Sequence, residues 1–313
     1  MKDFLRSIKK RFLEPDPFLL PIILVIVLFT LVVFDIYQKG EIILKSTLSS
    51  PFPNYHISSY PFLKNKINPD ILAKAAVVID KDSSVVLYAK NENFRFSPAS
   101  TTKIMAALIA LDYFKLTDFL EVKKATDEGS ILGLVPGEKI TFLDLLYAML
   151  LPSANDAAFA IAQNYPGETE GFVEKMNQKA KLLNLNNTHF QDPAGLLDQD
   201  GYTTPIELAR LASASLENKI FSQIVSTEYK FISDIYGVNT YAIFNRNKLL
   251  GIDGINGIKT GFTDEAGGVL VVSKAENGHT LIIVVMRSED RFEDTLTIVN
   301  QLTGNLTYLS IRP

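Results

Sequence analysis

A chain of 313 residues, 47% of them hydrophobic, buries a full core in one domain of ordinary size with room for an appendage, and is neither disordered nor fibrous. The net charge is −4 although residues 1–16 are net basic, so the body is acidic, which argues against nucleic acid as a partner. With no cysteine, disulfides, thiolate catalysis and zinc-finger spacing are excluded, and His56, His189 and His279 are too scattered to suggest a metal cluster or a histidine triad, so no metal and no cofactor is expected.

From Pro17 to Phe34 the chain is uncharged and almost wholly Leu, Ile, Val and Phe, and Ile36 and Tyr37 extend the run past Asp35. About 20 such residues at 1.5 Å each cross a bilayer. Lys2, Arg6, Lys9, Lys10 and Arg11 precede the run, so the positive-inside rule predicts a cytoplasmic tail over 1–17, an uncleaved transmembrane anchor over 18–38 and an extracytoplasmic remainder. Neither the polar 3.6-residue period of a core helix nor the small-residue cleavage site of a signal peptide is visible.

Residues 39–68 mix Ser, Pro, Asn and Lys without sustained period, as a stalk would, and the folded domain is expected over 69–313. Ala76–Asp80 and Val85–Tyr88 read as two strands joined by a tight turn. Helical spacing follows over Ser100–Phe114, Thr141–Gln163, Glu170–Leu183 and Pro205–Leu216. Gly268–Ser273 and Thr280–Met286 are β-branched runs around Asn277-Gly278, a strong hairpin signal, and Arg291–Leu302 closes the chain as a helix. Strands at both ends with helices between them predict an α/β (α+β) domain whose sheet is assembled from both chain ends.

The chemistry concentrates in three short segments. Ser100 and Lys103, in Pro98-Ala99-Ser100-Thr101-Thr102-Lys103, place a hydroxyl at a helix start and an amine one turn on, facing the same way. A serine hydroxyl is a weak nucleophile, and a lysine takes its proton only if burial or a nearby cation lowers the amine pKa. Ile104–Leu108 supply apolar surroundings, and the helix N-terminus offers N–H groups to an oxyanion. The spacing alone carries little weight, since Ser7-Ile8-Lys9-Lys10 repeats it in the tail. Ser153-Ala154-Asn155, between helical runs, and Lys259-Thr260-Gly261, at a strand edge, follow in order, and each occurs once. Singly these would read as a helix cap and an exposed lysine beside a turn; together with Ser100 and Lys103 they read as an active site.

On these motifs, and on Leu134-Val135-Pro136-Gly137-Glu138, Leu145-Leu146-Tyr147-Ala148, Asn187-Thr188-His189-Phe190 and Asp264-Glu265-Ala266-Gly267, the chain from about Pro69 onward resembles the low-molecular-mass penicillin-binding D-alanyl-D-alanine carboxypeptidases, of the DD-peptidase/β-lactamase type. The resemblance implies a five-stranded antiparallel sheet flanked by helices beside a helical subdomain, with the cleft between them. It also implies peptidoglycan stem peptides ending in D-Ala-D-Ala as substrate and β-lactams as acylating inhibitors. Ser100 would carry the acyl ester, Lys103 would be the acylation base, and Ser153 would relay a proton to the leaving amine. Asn155 would hold the substrate amide, Lys259 and Thr260 the terminal carboxylate, and the N–H groups of Ser100 and Phe262 the oxyanion, with Gly261 between. Arg246, within Asn245-Arg246-Asn247, matches a family arginine near that carboxylate, against the ordinary reading of a solvated surface arginine. Ala154 stands where the family usually has glycine, and no Glu-x-x-Leu-Asn string of the best-known β-lactamases occurs; Asp192, in a comparable region, reads as a cap or turn residue. A β-lactamase, a DD-endopeptidase and a wall-binding domain that stays acylated are the competing functions.

Overall fold

The computed structural model describes residues 22, 26–34, 60–197 and 200–309. The chain divides into two units, Met1–Ile57 and Ser58–Pro313. In the first, the expected transmembrane helix is corrected: among the described residues, no helix is long and apolar enough to cross a membrane. Residues 26–34 are helical, but at 1.5 Å per residue they reach about 14 Å, roughly half of a hydrocarbon core. The expected cytoplasmic tail and the rest of the expected span lie outside the described residues.

In the second unit the sheet has five antiparallel strands in the order β3-β2-β10-β9-β8. Its first two come early in the chain, β2 (Ala75–Asp80) and β3 (Val86–Lys90), and its last three late, β8 (Ile255–Thr263), β9 (Gly267–Glu276) and β10 (His279–Ser288). The β2–β10 pairing, Leu281 opposite Asp80 through Met286 opposite Ala75, joins the two groups, as the strand pattern predicts. β2 lacks polar alternation because both faces are covered: Ala75, Val77 and Ile79 belong to one buried cluster, and Ala76 and Val78 to the other. Asn277 and Gly278 both take left-handed backbone, φ 52° and 81°, which a two-residue hairpin turn between β9 and β10 requires. Tyr60–Leu63, inside the expected stalk, forms β1 and pairs with β11 (Leu306–Leu309).

The helices between the two strand groups are α1 (Lys103–Tyr113), α2 (Phe142–Leu150), α3 (Asn155–Gln163), α4 (Glu168–Leu182), α5 (Pro205–Ser215) and α6 (Lys219–Val225); α7 (Arg291–Leu302) follows β10. The apolar run expected as Thr141–Gln163 thus forms two helices separated by Leu151–Ala154, and this break, with Ser153 between the helical runs as its motif predicts, sets Ser153 in the cleft wall. α2 starts at Thr141, whose hydroxyl accepts from Asp144 N–H at 3.1 Å. Two small hairpins carried no clear pattern in the sequence: β4 (Phe119–Glu121) with β5 (Lys139–Thr141), and β6 (Tyr229–Ser233) with β7 (Thr240–Phe244).

Candidate active site

Ser100 lies in a 3-10 turn, Ala99–Thr102, that runs into α1. That turn is held tightly from two sides. A Cβ on Gly195 would lie 1.9 Å from the Ala99 carbonyl oxygen, so that approach depends on glycine, and one on Gly261 of β8 would lie a tight 3.2 Å from Ser100 N. The nucleophile's backbone is therefore wedged between the 192–197 loop and the edge of β8.

Lys103 is fully buried, and its Nζ lies 2.9 Å from Ser100 Oγ. It also donates to Asn155 Oδ1 and to the Ala194 carbonyl, each at 2.7 Å. Burial pushes the amine down to about 7; Asp192 raises it, Arg246 lowers it and Asp156 raises it. A neutral amine has two N–H groups and one lone pair. With Asn155 and Ala194 taking the N–H groups, the lone pair faces the Ser100 hydroxyl, so the site presents a base already oriented toward the proton it must remove.

Two buried carboxylates shape the surroundings. Asp192 accepts from Ala194 and Gly195 N–H through one oxygen, both at 2.6 Å, and from Leu196 and Leu197 N–H through the other, at 2.9 and 2.8 Å. This is the turn role expected of it, and it aims the Ala194 carbonyl at Lys103. Asp156, fully buried at the start of α3, accepts from Leu132, Gly133 and Leu134 N–H and so ties down the loop that carries Gly129 and Ser130. Asn155 bridges the two features: its Oδ1 takes Lys103 and its Nδ2 donates to Glu128 O at 2.8 Å.

Ser153 sits between α2 and α3 with left-handed backbone, φ 66°. Its hydroxyl is buried and has no hydrogen-bond partner among the described residues, an arrangement that costs free energy unless the group is used.

On β8, Lys259 is buried and donates to the Thr260 carbonyl at 2.9 Å. Burial, reinforced by Lys103, Arg246 and Arg291, holds its amine well below the usual lysine range. The cleft measures about 420 Å³ and is lined by Ser100, Ser153, Asn155, Arg246, Thr260, Gly261, Phe262 and Arg291, among others. All nine residues singled out from the sequence thus lie at or beside one cleft, Lys103 and Lys259 buried behind its walls.

Arg291 is the cleft residue that sequence reasoning placed only at a helix start. It lies in the first turn of α7, where the helix dipole disfavours a cation; that misplacement was the available signal. Its Nε is buried without a partner among the described residues, and burial lowers its pKa, against the neighbouring Asp290 carboxylate, which raises it, and with Arg246, which lowers it. Arg246 and Arg291, with the Lys259 amine buried beside them, thus give this side of the cleft a basic character that suits an anionic group.

The peptidase S11 model, described as D-alanyl-D-alanine carboxypeptidase, matches residues 63–290. A Bacillus subtilis D-alanyl-D-alanine carboxypeptidase is 34% identical over 241 residues, 74% of this chain and 61% of that protein, so the match spans about three fifths of that relative. A Pseudomonas aeruginosa D-alanyl-D-alanine endopeptidase is 32% identical over 226 residues, 70% of this chain and 73% of its own. The crystal structure of a Streptomyces DD-transpeptidase superposes with a TM-score of 0.72 at 31% identity, covering 76% of this chain and 99% of the other. With its two serines, two buried lysines and cationic cleft in one place, and with this family model spanning most of its length, the chain belongs to the D-alanyl-D-alanine carboxypeptidase family of serine peptidases.

Proposed function

We propose that the protein removes the terminal D-alanine from peptidoglycan stem peptides, working outside the cytoplasm where that polymer lies, and that β-lactams acylate the same serine. The observation that carries this reading is Lys103, buried, lowered to about 7 and 2.9 Å from Ser100 Oγ. Ser100 Oγ attacks the carbonyl carbon of the penultimate D-alanine while its proton passes to Lys103 Nζ. The oxyanion is received by the N–H groups of Ser100 and Phe262. The C–N bond then breaks, and the leaving amine takes a proton through the Ser153 hydroxyl. Water hydrolyses the ester with Lys103 again accepting a proton. Asn155 positions the substrate amide, and Lys259, Thr260 and Arg246, joined by Arg291, receive the terminal carboxylate.

A deacylating role for Asp192, as a β-lactamase would need, is disfavoured because both its oxygens are taken by four backbone N–H groups. An endopeptidase remains the second reading, supported by the Pseudomonas relative of that name. The test offers a pentapeptide ending in D-Ala-D-Ala and the same peptide with a terminal carboxamide. Amidation removes one charge-assisted contact, about 1.5–3 kcal/mol, so kcat/KM falls roughly 10- to 150-fold, and Lys259→Met shrinks the difference. Equal cleavage of both by wild type favours the endopeptidase. Mass spectrometry should also find a penicilloyl adduct on wild type that Ser100→Ala lacks.

A further inference from the structure

A second cavity, of about 200 Å³, opens at the β8–β9 turn, and its lining includes Arg95, Tyr202, Glu265 and Arg287. It adjoins the catalytic cleft along the chain: Thr263 and Asp264 line the cleft, and Glu265 and Ala266 line the second cavity. The chemistry proposed above does not use it.

The two arginines are presented in different ways. Arg95 is fixed, its guanidinium 4.2 Å over the Tyr202 ring and donating to Asn187 Oδ1 at 3.3 and 2.9 Å. Asn187 thus takes part of a five-donor fork, and the stack on Tyr202 fixes the plane of the rest. Arg287 sits in the register irregularity between Val285 and Ser288 of β10, with left-handed backbone at φ 52°. Such backbone is uncommon for a long side chain, and bulges of this kind re-aim side chains at functional edges. Arg287 is exposed, and its guanidinium has no ion pair among the described residues. Two guanidinium groups match the planar, two-oxygen geometry of a carboxylate. With the Glu265 carboxylate in the same lining the three charges sum to +1, which one carboxylate balances and a polyanion such as a phosphate ester exceeds.

The position follows from the proposed function, on which this inference rests. With the terminal carboxylate among Arg246, Lys259 and Arg291 and the scissile carbonyl on Ser100, the acyl part of the peptide leaves past Phe262, Thr263 and Asp264. Asp264–Ala266 form the turn out of β8, so Phe262 to Glu265 is at most about 10 Å, a span that an extended peptide covers within about three residues. We infer that this cavity is a carboxylate subsite, which reads an acidic group on the substrate about two or three residues ahead of the bond that is cleaved.

The experiment compares two D-Ala-D-Ala peptides that differ only in that upstream group, free carboxylate against carboxamide, on wild type, Arg287→Gln and Arg95→Gln. The readout is the ratio of the two kcat/KM values, which does not depend on how much of a variant is folded. The expected ratio is roughly 10 for wild type, carried mainly by KM, falling to about 2 or less in Arg287→Gln and decreasing in Arg95→Gln. A wild-type ratio near one, or a ratio that survives both substitutions, overturns the subsite while leaving the carboxypeptidase reading intact. If wild type cleaves neither peptide, the carboxypeptidase reading falls and the subsite falls with it.

Discussion

Lys103 combines the functions of a buried core residue and a base, and its pH behaviour follows from that. Because its amine is pushed down to about 7 by burial, it is protonated and inactive as a base below that pH and neutral above it. The acylation rate constant, kcat/KM for a peptide or the second-order rate with penicillin, should therefore rise with pH and level off above about 7. Asp192 raises the Lys103 pKa and Arg246 lowers it, so Arg246→Gln should move the acid limb to higher pH. Stopped-flow acylation across pH 5 to 9 checks both; an acid limb unmoved in the variant would mean that another group titrates there. Ser153 separates function from stability in a different way. Its hydroxyl has no hydrogen bond to lose among the described residues, so Ser153→Ala should leave the melting temperature within about 2 °C while lowering turnover by roughly 10²- to 10⁴-fold. A large drop in melting temperature with near-normal turnover would instead make this hydroxyl structural.

At the scale of elements, the site depends on loops whose shape is set by buried carboxylates rather than by regular secondary structure. Asp192 is the clearest case, because one side chain closes the 192–197 loop through four N–H groups and thereby presents the Ala194 carbonyl to Lys103. Asp192→Asn replaces one acceptor oxygen by a donor facing other donors. Unfolding free energy should fall by about 1–3 kcal/mol, measured by urea titration. In the same variant the acid limb of acylation should move to lower pH, opposite to Arg246→Gln, since a charge that raises the Lys103 pKa has gone. The β6–β7 hairpin leads through Asn245 into Arg246, and Glu138 anchors it by accepting from the Tyr241 hydroxyl at 2.8 Å and from Asn239. The position of Arg246 at the cleft therefore follows from a hairpin that neither propensity nor alternation marked in the sequence.

At the scale of the whole molecule, the two ends of the catalytic unit are joined by side chains as well as by the sheet, the buried Asp294 among them. Asp294 of α7 accepts from Leu72 N–H and Ala73 N–H, each at 2.8 Å, just before β2 begins, and also from the Ser288 hydroxyl. Asp294→Ala leaves these donors unpaired in a buried setting, so unfolding free energy should fall by about 2–4 kcal/mol. Denaturant unfolding measures it, and a loss below about 0.5 kcal/mol would show that α7 docks independently of this contact.

The sequence by itself determined the elements and motifs that depend on near neighbours. Ser100 and Lys103 share a face because three residues make nearly one helical turn. Asn277-Gly278 turns because both residues tolerate left-handed backbone, and the apolar strand runs announced a sheet buried on both faces. The nine residues that converge on the cleft could be named because the short motifs holding most of them resemble a known family, which supplied Arg246 and Phe262 as well. Tertiary structure alone decided how the motifs act on one another. Lys103 becomes a neutral base only when Ala194 and Asn155, distant in sequence, take its N–H groups and the core removes water. Arg291 belongs to the cleft only because α7 follows β10 back toward β8. The break that sets Ser153 between two helical runs was read from the sequence, but that Ser153 then lines the same cleft as Ser100 was decided by packing. The uncharged N-terminal run predicts a spanning helix on hydropathy, whereas among the described residues no helix is long and apolar enough to cross a membrane. Local spacing encodes an element's own geometry, but charge, burial and proximity between elements are produced by packing, and the chemistry of this site resides in those.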